Sequence, residues 1–131
     1  MTFGIYIGVA IVAFLVGLIL FLDKKAGADI RSSIYKQLQV SVELSRGDVS
    51  ARKDSIIRLD TLLGKSLEYA GVKGETVGEC LKNARHLFDR RKYDEIWRAH
   101  KVRNKLVHEQ FEISSGETQH IVSVLSSAIR K

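Results

Sequence analysis

Four side chains late in the sequence have the types and spacing to move a proton beside an anion: His100, Arg103, Asn104 and His108. His100, Asn104 and His108 recur at i, i+4 and i+8, so on a helix they stack along one stripe, with Arg103 one step off it. An imidazole titrates near neutral pH and can accept or give a proton. A guanidinium offers paired donors that match two phosphate oxygens. Arg103 and His108 are five residues apart, about 140° around a helix, so one isolated helix cannot aim both at a single point. A cleft between two copies of the chain can.

Other chemistries find less support. His86, His100, His108 and His120 are spread over three helical segments without the close Cys/His pairs of a zinc site. The sequence therefore implies no metal and no cofactor. The single Cys80 lies at a helix start with no local histidine, and no Gly-x-Ser-x-Gly elbow or Gly-rich phosphate loop is present. Cys80 reads as a small buried hydrophobe; a helix N-terminus could instead lower its pKa.

The elements that must position the polar stripe begin with an apolar one. Met1 to Leu22 holds no charged side chain, and a helix of about 20 residues spans the hydrocarbon core of a bilayer. Only Met1-Thr2 precedes the apolar run, which leaves no room for the basic region of a cleaved signal peptide. The expectation is an uncleaved transmembrane anchor over 1–22 and a juxtamembrane linker over 23–28. Lys24, Lys25 and Arg31 follow the helix and no basic residue precedes it. The positive-inside rule then puts the N-terminus outside and the remainder in the cytoplasm. Gly4 and Gly8, with Ala13 and Gly17 beyond them, give small-residue spacing that suits helix pairing in a membrane, although glycine is common in such helices anyway. The chain carries a net charge of +6, all of it beyond residue 22. Such a balance fits an anionic neighbour (lipid head groups, nucleic acid or an acidic protein) and equally fits ordinary solubility beside a membrane.

Residues 29–131 read as all-α, a four- or five-helix up-down bundle with short connections. No segment alternates with period two, and there is no proline. A first helix from about Asp29 to Ser45 carries Ile30, Ile34, Leu38 and Val42 on one ridge, with Asp29 as its cap. A second, Val49 to Ala70, presents Ile56, Leu59, Leu62, Leu63 and Leu67 and ends at Gly71. Thr76-Val77-Gly78-Glu79 opens a third that continues to Phe88. Residues 89–92 read as a charged connection. A fourth helix, Tyr93 to Gln110, turns Tyr93, Ile96, Trp97, Val107 and Phe111 inward, with His100 buried beside Trp97. Ser114-Ser115-Gly116-Glu117 opens the last, whose core face is Ile121, Val122, Val124, Leu125, Ala128 and Ile129.

Arg103-Asn104-Lys105-Leu106-Val107-His108 resembles the Arg-x4-6-His motif of the HEPN superfamily, with the polar Asn104 directly after the arginine and the motif in the penultimate helix. The likeness covers roughly residues 30–130. It implies an all-α domain that homodimerises, bringing two motifs into one cleft, and in many members a metal-independent ribonuclease. By resemblance His108 is the general acid and base at the RNA 2′-hydroxyl and leaving oxygen. Arg103 holds the scissile phosphate, and Asn104 orients the histidine or the phosphate. Other members are non-catalytic interaction modules, and that alternative, with a protein partner or inhibitor, stands beside the enzyme. A bland pattern also stands: Arg103 paired with Glu109 or Glu112, and His108 capping a helix end. Gln110 occupies the place where one antitoxin-regulated branch has tyrosine, and the anchor departs from a typical soluble toxin.

Overall fold

The structure, a computed structural model, describes residues 2–130, so the end residues of the expected anchor and domain lie outside it. The described residues are almost entirely helical and contain no strand. Five α-helices follow in order: α1 (Thr2–Leu44), α2 (Val49–Tyr69), α3 (Val77–Asn83), α4 (Arg90–His108) and α5 (Ser115–Ile129), with one 3-10 turn (Arg85–Leu87) after α3. The chain divides into two compact units, Met1–Tyr35 and Lys36–Lys131.

The first unit is helix alone. Its apolar segment is long and apolar enough to cross a membrane, and none of that stretch is buried within the protein. One expectation changes here. Residues 23–28 are helical, and no separate helix starts at Asp29, because α1 continues unbroken from Thr2 to Leu44. Lys24, Lys25, Ala26 and Ala28 are strong helix formers, and a lone Gly27 costs only about 1 kcal/mol, too little to break a helix formed on both sides of it. Ile30, expected on a core ridge, is exposed, whereas Leu38 eight residues later is buried.

The second unit is built round α2, which packs against α3, α4 and α5, while α4 also packs on α5. Ile56, Leu59, Leu62, Leu63 and Leu67 of α2 are all buried, as is the whole expected core face of α5. Both ends of α2 are set by sequence. Asp48 accepts the Ala51 N–H at 2.8 Å, satisfying one of the donors that a helix start leaves open. At the other end Gly71 adopts φ +89°. The N–H of Val72 reaches the Leu67 carbonyl at 3.0 Å and that of Gly71 the Glu68 carbonyl at 2.9 Å, the paired bonds that close a helix through a left-handed residue.

The segment between α2 and α4 is tighter than its periodicity suggests. Thr76 caps α3 by accepting the Glu79 N–H, but the Glu79 carboxylate takes the N–H of Glu75 rather than that of the cap. The helix ends at Asn83, not Phe88, and Ala84 passes the chain into the 3-10 turn. Asn83 ties this end back by donating to the Lys73 carbonyl at 2.8 Å. Residues 89–92 are not a loose connection. Asp89 accepts the Lys92 N–H at 2.9 Å and starts α4 there, one turn earlier than expected. The reciprocal bonds of a capping box are complete at Ser114 and Glu117, which start α5.

Candidate functional site

The polar stripe of α4 meets α2 at one buried carboxylate. Asp60 is fully buried, with Ile56, Leu59 and Leu63 of its own helix buried around it. His100, 8% exposed, places Nδ1 at 2.9 and 3.1 Å from the two Asp60 carboxylate oxygens. With its proton on Nδ1 the ring donates to Asp60, leaving Nε2 free to accept. Asn104 Nδ2 lies 3.5 Å from that Nε2, at the edge of hydrogen bonding. Asn104 Oδ1 in turn accepts from the Arg103 guanidinium at 3.0 Å. Donors and acceptors thus run in one direction: Arg103 to Asn104, Asn104 to His100, His100 to Asp60.

Arg103 closes the ring from the other side. Its Nε is 3.6 Å from Asp60 Oδ2, and that nitrogen is buried without a hydrogen-bond partner. The contact is therefore electrostatic rather than a formed hydrogen bond. It still matters, because an unpaired carboxylate at zero exposure is among the costliest groups a core can hold. One negative and one positive charge offset each other at the boundary of the core. About a quarter of the Arg103 side chain remains exposed, so the group is anchored inside and open at its edge. Trp97 packs edge-on against the His100 ring, with centroids 5.6 Å apart. Gly78 of α3 leaves room above it, since an added Cβ there would sit 3.5 Å from Nε2.

The sequence-predicted residues separate on this geometry. His100, Arg103 and Asn104 come together with Asp60. His108 does not join them. It is the last residue of α4 and exposed, and its side chain makes no hydrogen bond among the described residues. A cation there suits the negative end of the helix dipole. Arg103 forms no pair with Glu109 or Glu112, because Asp60 takes it. His86 and His120 are exposed and apart from the network. Val107, expected in the core, is 46% exposed. Among the described residues no group of three His, Cys, Asp or Glu side chains converges to hold a metal.

Asp60 is the member that sequence reading missed. Its signal is a carboxylate at i+4 from Ile56 and i−3 from Leu63, squarely on the core face of an amphipathic helix, where an acid needs a partner. Cys80, by contrast, is buried, with Sγ 3.7 Å from the Gly74 carbonyl. Burial first, and the nearby Glu68 and Glu79 carboxylates second, push its thiol pKa up. The helix start does not activate it. Comparison of the chain with family models, with curated proteins and with solved structures gives no match.

Proposed function

We propose that this chain is a membrane-anchored, HEPN-like helical protein that acts on RNA as a homodimer, with Arg103 and His108 of the two copies forming one metal-independent endoribonuclease cleft. The observation that carries the reading is the setting of Arg103. A buried Asp60 faces its Nε and Asn104 accepts from its guanidinium, while about a quarter of the side chain stays exposed, where a phosphate could meet it. A guanidinium held before substrate arrives stabilises developing phosphate charge without reorganising. His108, exposed at the end of the same helix, takes the proton of the RNA 2′-hydroxyl as that oxygen attacks phosphorus. His108 of the partner subunit gives a proton to the departing 5′-oxygen, leaving a 2′,3′-cyclic phosphate. In this reading residues 29–131 form an up-down bundle on the cytoplasmic side, since Lys24, Lys25 and Arg31 follow the apolar stretch of α1 and no basic residue precedes it.

One observation favours a non-catalytic module instead: Asn104 turns to His100, and no hydrogen bond among the described residues orients the His108 side chain. A binding domain needs the held arginine but no aligned histidine, and its partner would be an anionic protein or RNA. Incubating the full chain in neutral detergent with structured RNA and EDTA separates the two. Cleavage lost in His108→Ala supports the enzyme. Intact RNA with folded wild-type protein leaves only the binding module.

A further inference from the structure

The outward face of α4 carries what the buried network does not use. The helix holds seven Lys or Arg side chains against Asp94 and Glu95. Arg98, Lys101, Lys105 and His108 are all exposed and follow one another at steps of three and four, hence along one side of the helix. Arg91 extends the same side by another two turns, loosely paired with Glu95 at 3.6 Å. Alongside this row, between α4 and α5, opens a cavity of about 440 Å³. Its floor is apolar, from Ala99, Val102, Ile121 and Val124, with the half-buried Phe111 at one side. Arg98 stands at its rim, and Lys105 Nζ lies 5.8 Å from the Phe111 ring centre.

We infer that this cavity is a subsite for one unpaired nucleobase of a single-stranded RNA whose phosphates follow Arg98, Lys101 and Lys105 towards His108. Two independent features make the fit. A cationic row tracks a phosphate backbone, and an aromatic ring in a recess beside it supplies the stacking surface that unpaired bases use whatever their identity. A cavity of this size is in the range of small-molecule sites and takes a single base easily. Glu95 and Glu117, also at the lining, would repel a phosphate, whereas a carboxylate accepts from the amino groups of a base edge. An anionic membrane surface suits the same cations less well, because it would leave the recessed aromatic cavity unfilled and meet Asp94 and Glu95 directly.

The inference rests on the RNA reading above but fails separately from it. The full chain in phosphatidylcholine nanodiscs is titrated against a fluorescent, unstructured 2′-O-methyl oligoribonucleotide, which cannot be cleaved, and against a duplex of the same sequence. Phe111→Leu, which keeps an apolar side chain and removes the ring, weakens single-strand binding about tenfold, the order expected for one stacked base, and leaves duplex binding unchanged. Phe111→Tyr stays close to wild type. Replacing Arg98 and Lys105 together with Ala lowers the salt dependence of single-strand binding by a slope of about 1.4, two phosphate contacts. Undiminished affinity in Phe111→Leu, or equal losses on the duplex, overturns the subsite. If RNA is still cut in a His108-dependent way while Phe111→Leu binds normally, only the subsite falls. If no oligonucleotide binds, both readings fall. Binding to phosphatidylserine vesicles without binding to the oligonucleotide overturns it in favour of a membrane-facing surface.

Discussion

Replacing Asp60 with alanine tests whether the buried network holds this domain together. The substitution removes the acceptor of His100 Nδ1 at 2.9 Å and, among the described residues, the one anion paired with Arg103 Nε. Breaking a buried pair by deleting one partner costs about 3–5 kcal/mol, mostly because the survivor is left charged and unpaired. Arg103 retains 27% side-chain exposure and can recover some water, which places the loss near the lower end, about 3 kcal/mol. For a unit of this size each kcal/mol lowers Tm by about 4–8 °C, so the midpoint should fall by at least about 12 °C. Trp97 is the only tryptophan and packs on His100, so its emission during thermal or urea unfolding of the full chain in detergent reports the network directly. Asp60→Asn keeps the shape and one acceptor but loses the charge, and should cost about half as much. In a double-mutant cycle Asp60→Ala and Arg103→Ala should couple by about 1 kcal/mol. An Asp60→Ala midpoint within a few degrees of wild type would refute the view that the carboxylate and its partners are a structural unit.

Cys80 should resist alkylation in the folded chain and react once urea exposes it, as iodoacetamide labelling followed by mass spectrometry will show. Its folded pKa is raised, so its contribution to stability is complete below the unfolded thiol pKa, falls as pH rises above that value, and is fully lost once pH passes the folded one. Gly74→Ala should destabilise the α2–α3 connection by about 1–3 kcal/mol, because the new Cβ would lie 2.6 Å from the Cys80 backbone nitrogen. Gly116→Ala, which meets nothing within 4 Å, is the control for the shift in urea midpoint. Under the proposed dimeric enzyme one His108 takes a proton while its partner gives one, so mixing wild-type with excess His108→Ala chains should form mixed dimers that do not cleave RNA, and activity per wild-type chain should fall as the excess rises.

Where a helix end is written into neighbouring residues, the sequence predicted it well. Ser114 with Glu117, and Gly71 after Leu67, need only their own turn to act, and both close their helices as expected. Asp89 was as local a signal, but the charges after it read as a connection when they are the first turn of α4. The amphipathic faces of α2 and α5 were legible because a single period carries them. The site was legible by half. Arg103, Asn104 and His100 lie close in sequence, whereas Asp60 stands forty positions from His100, and no spacing rule links a core acid to a partner on another helix. The join at residues 23–28 misled for a different reason. Charge and a glycine look like a boundary, but neither breaks a helix whose flanks are both committed to it.

The stripe of His100, Asn104 and His108 also means something different from its spacing. Each step of four residues on an α-helix overshoots a full turn by about 40°, so eight residues carry the side chain about 80° around the axis. That drift is what the burial records: His100 is buried, Asn104 is intermediate and His108 is exposed. One row of polar residues therefore walks from the core to solvent along a single helix. Its inner end can fix a cation because the core supplies Asp60, and its outer end can exchange protons because water reaches it. Arg103, about 140° from His108, belongs to the inner end. The two groups that could act on a phosphate are thus held apart by the same helical geometry that positions each of them, and only a second copy of α4 can bring the outer end of one row to the arginine of another.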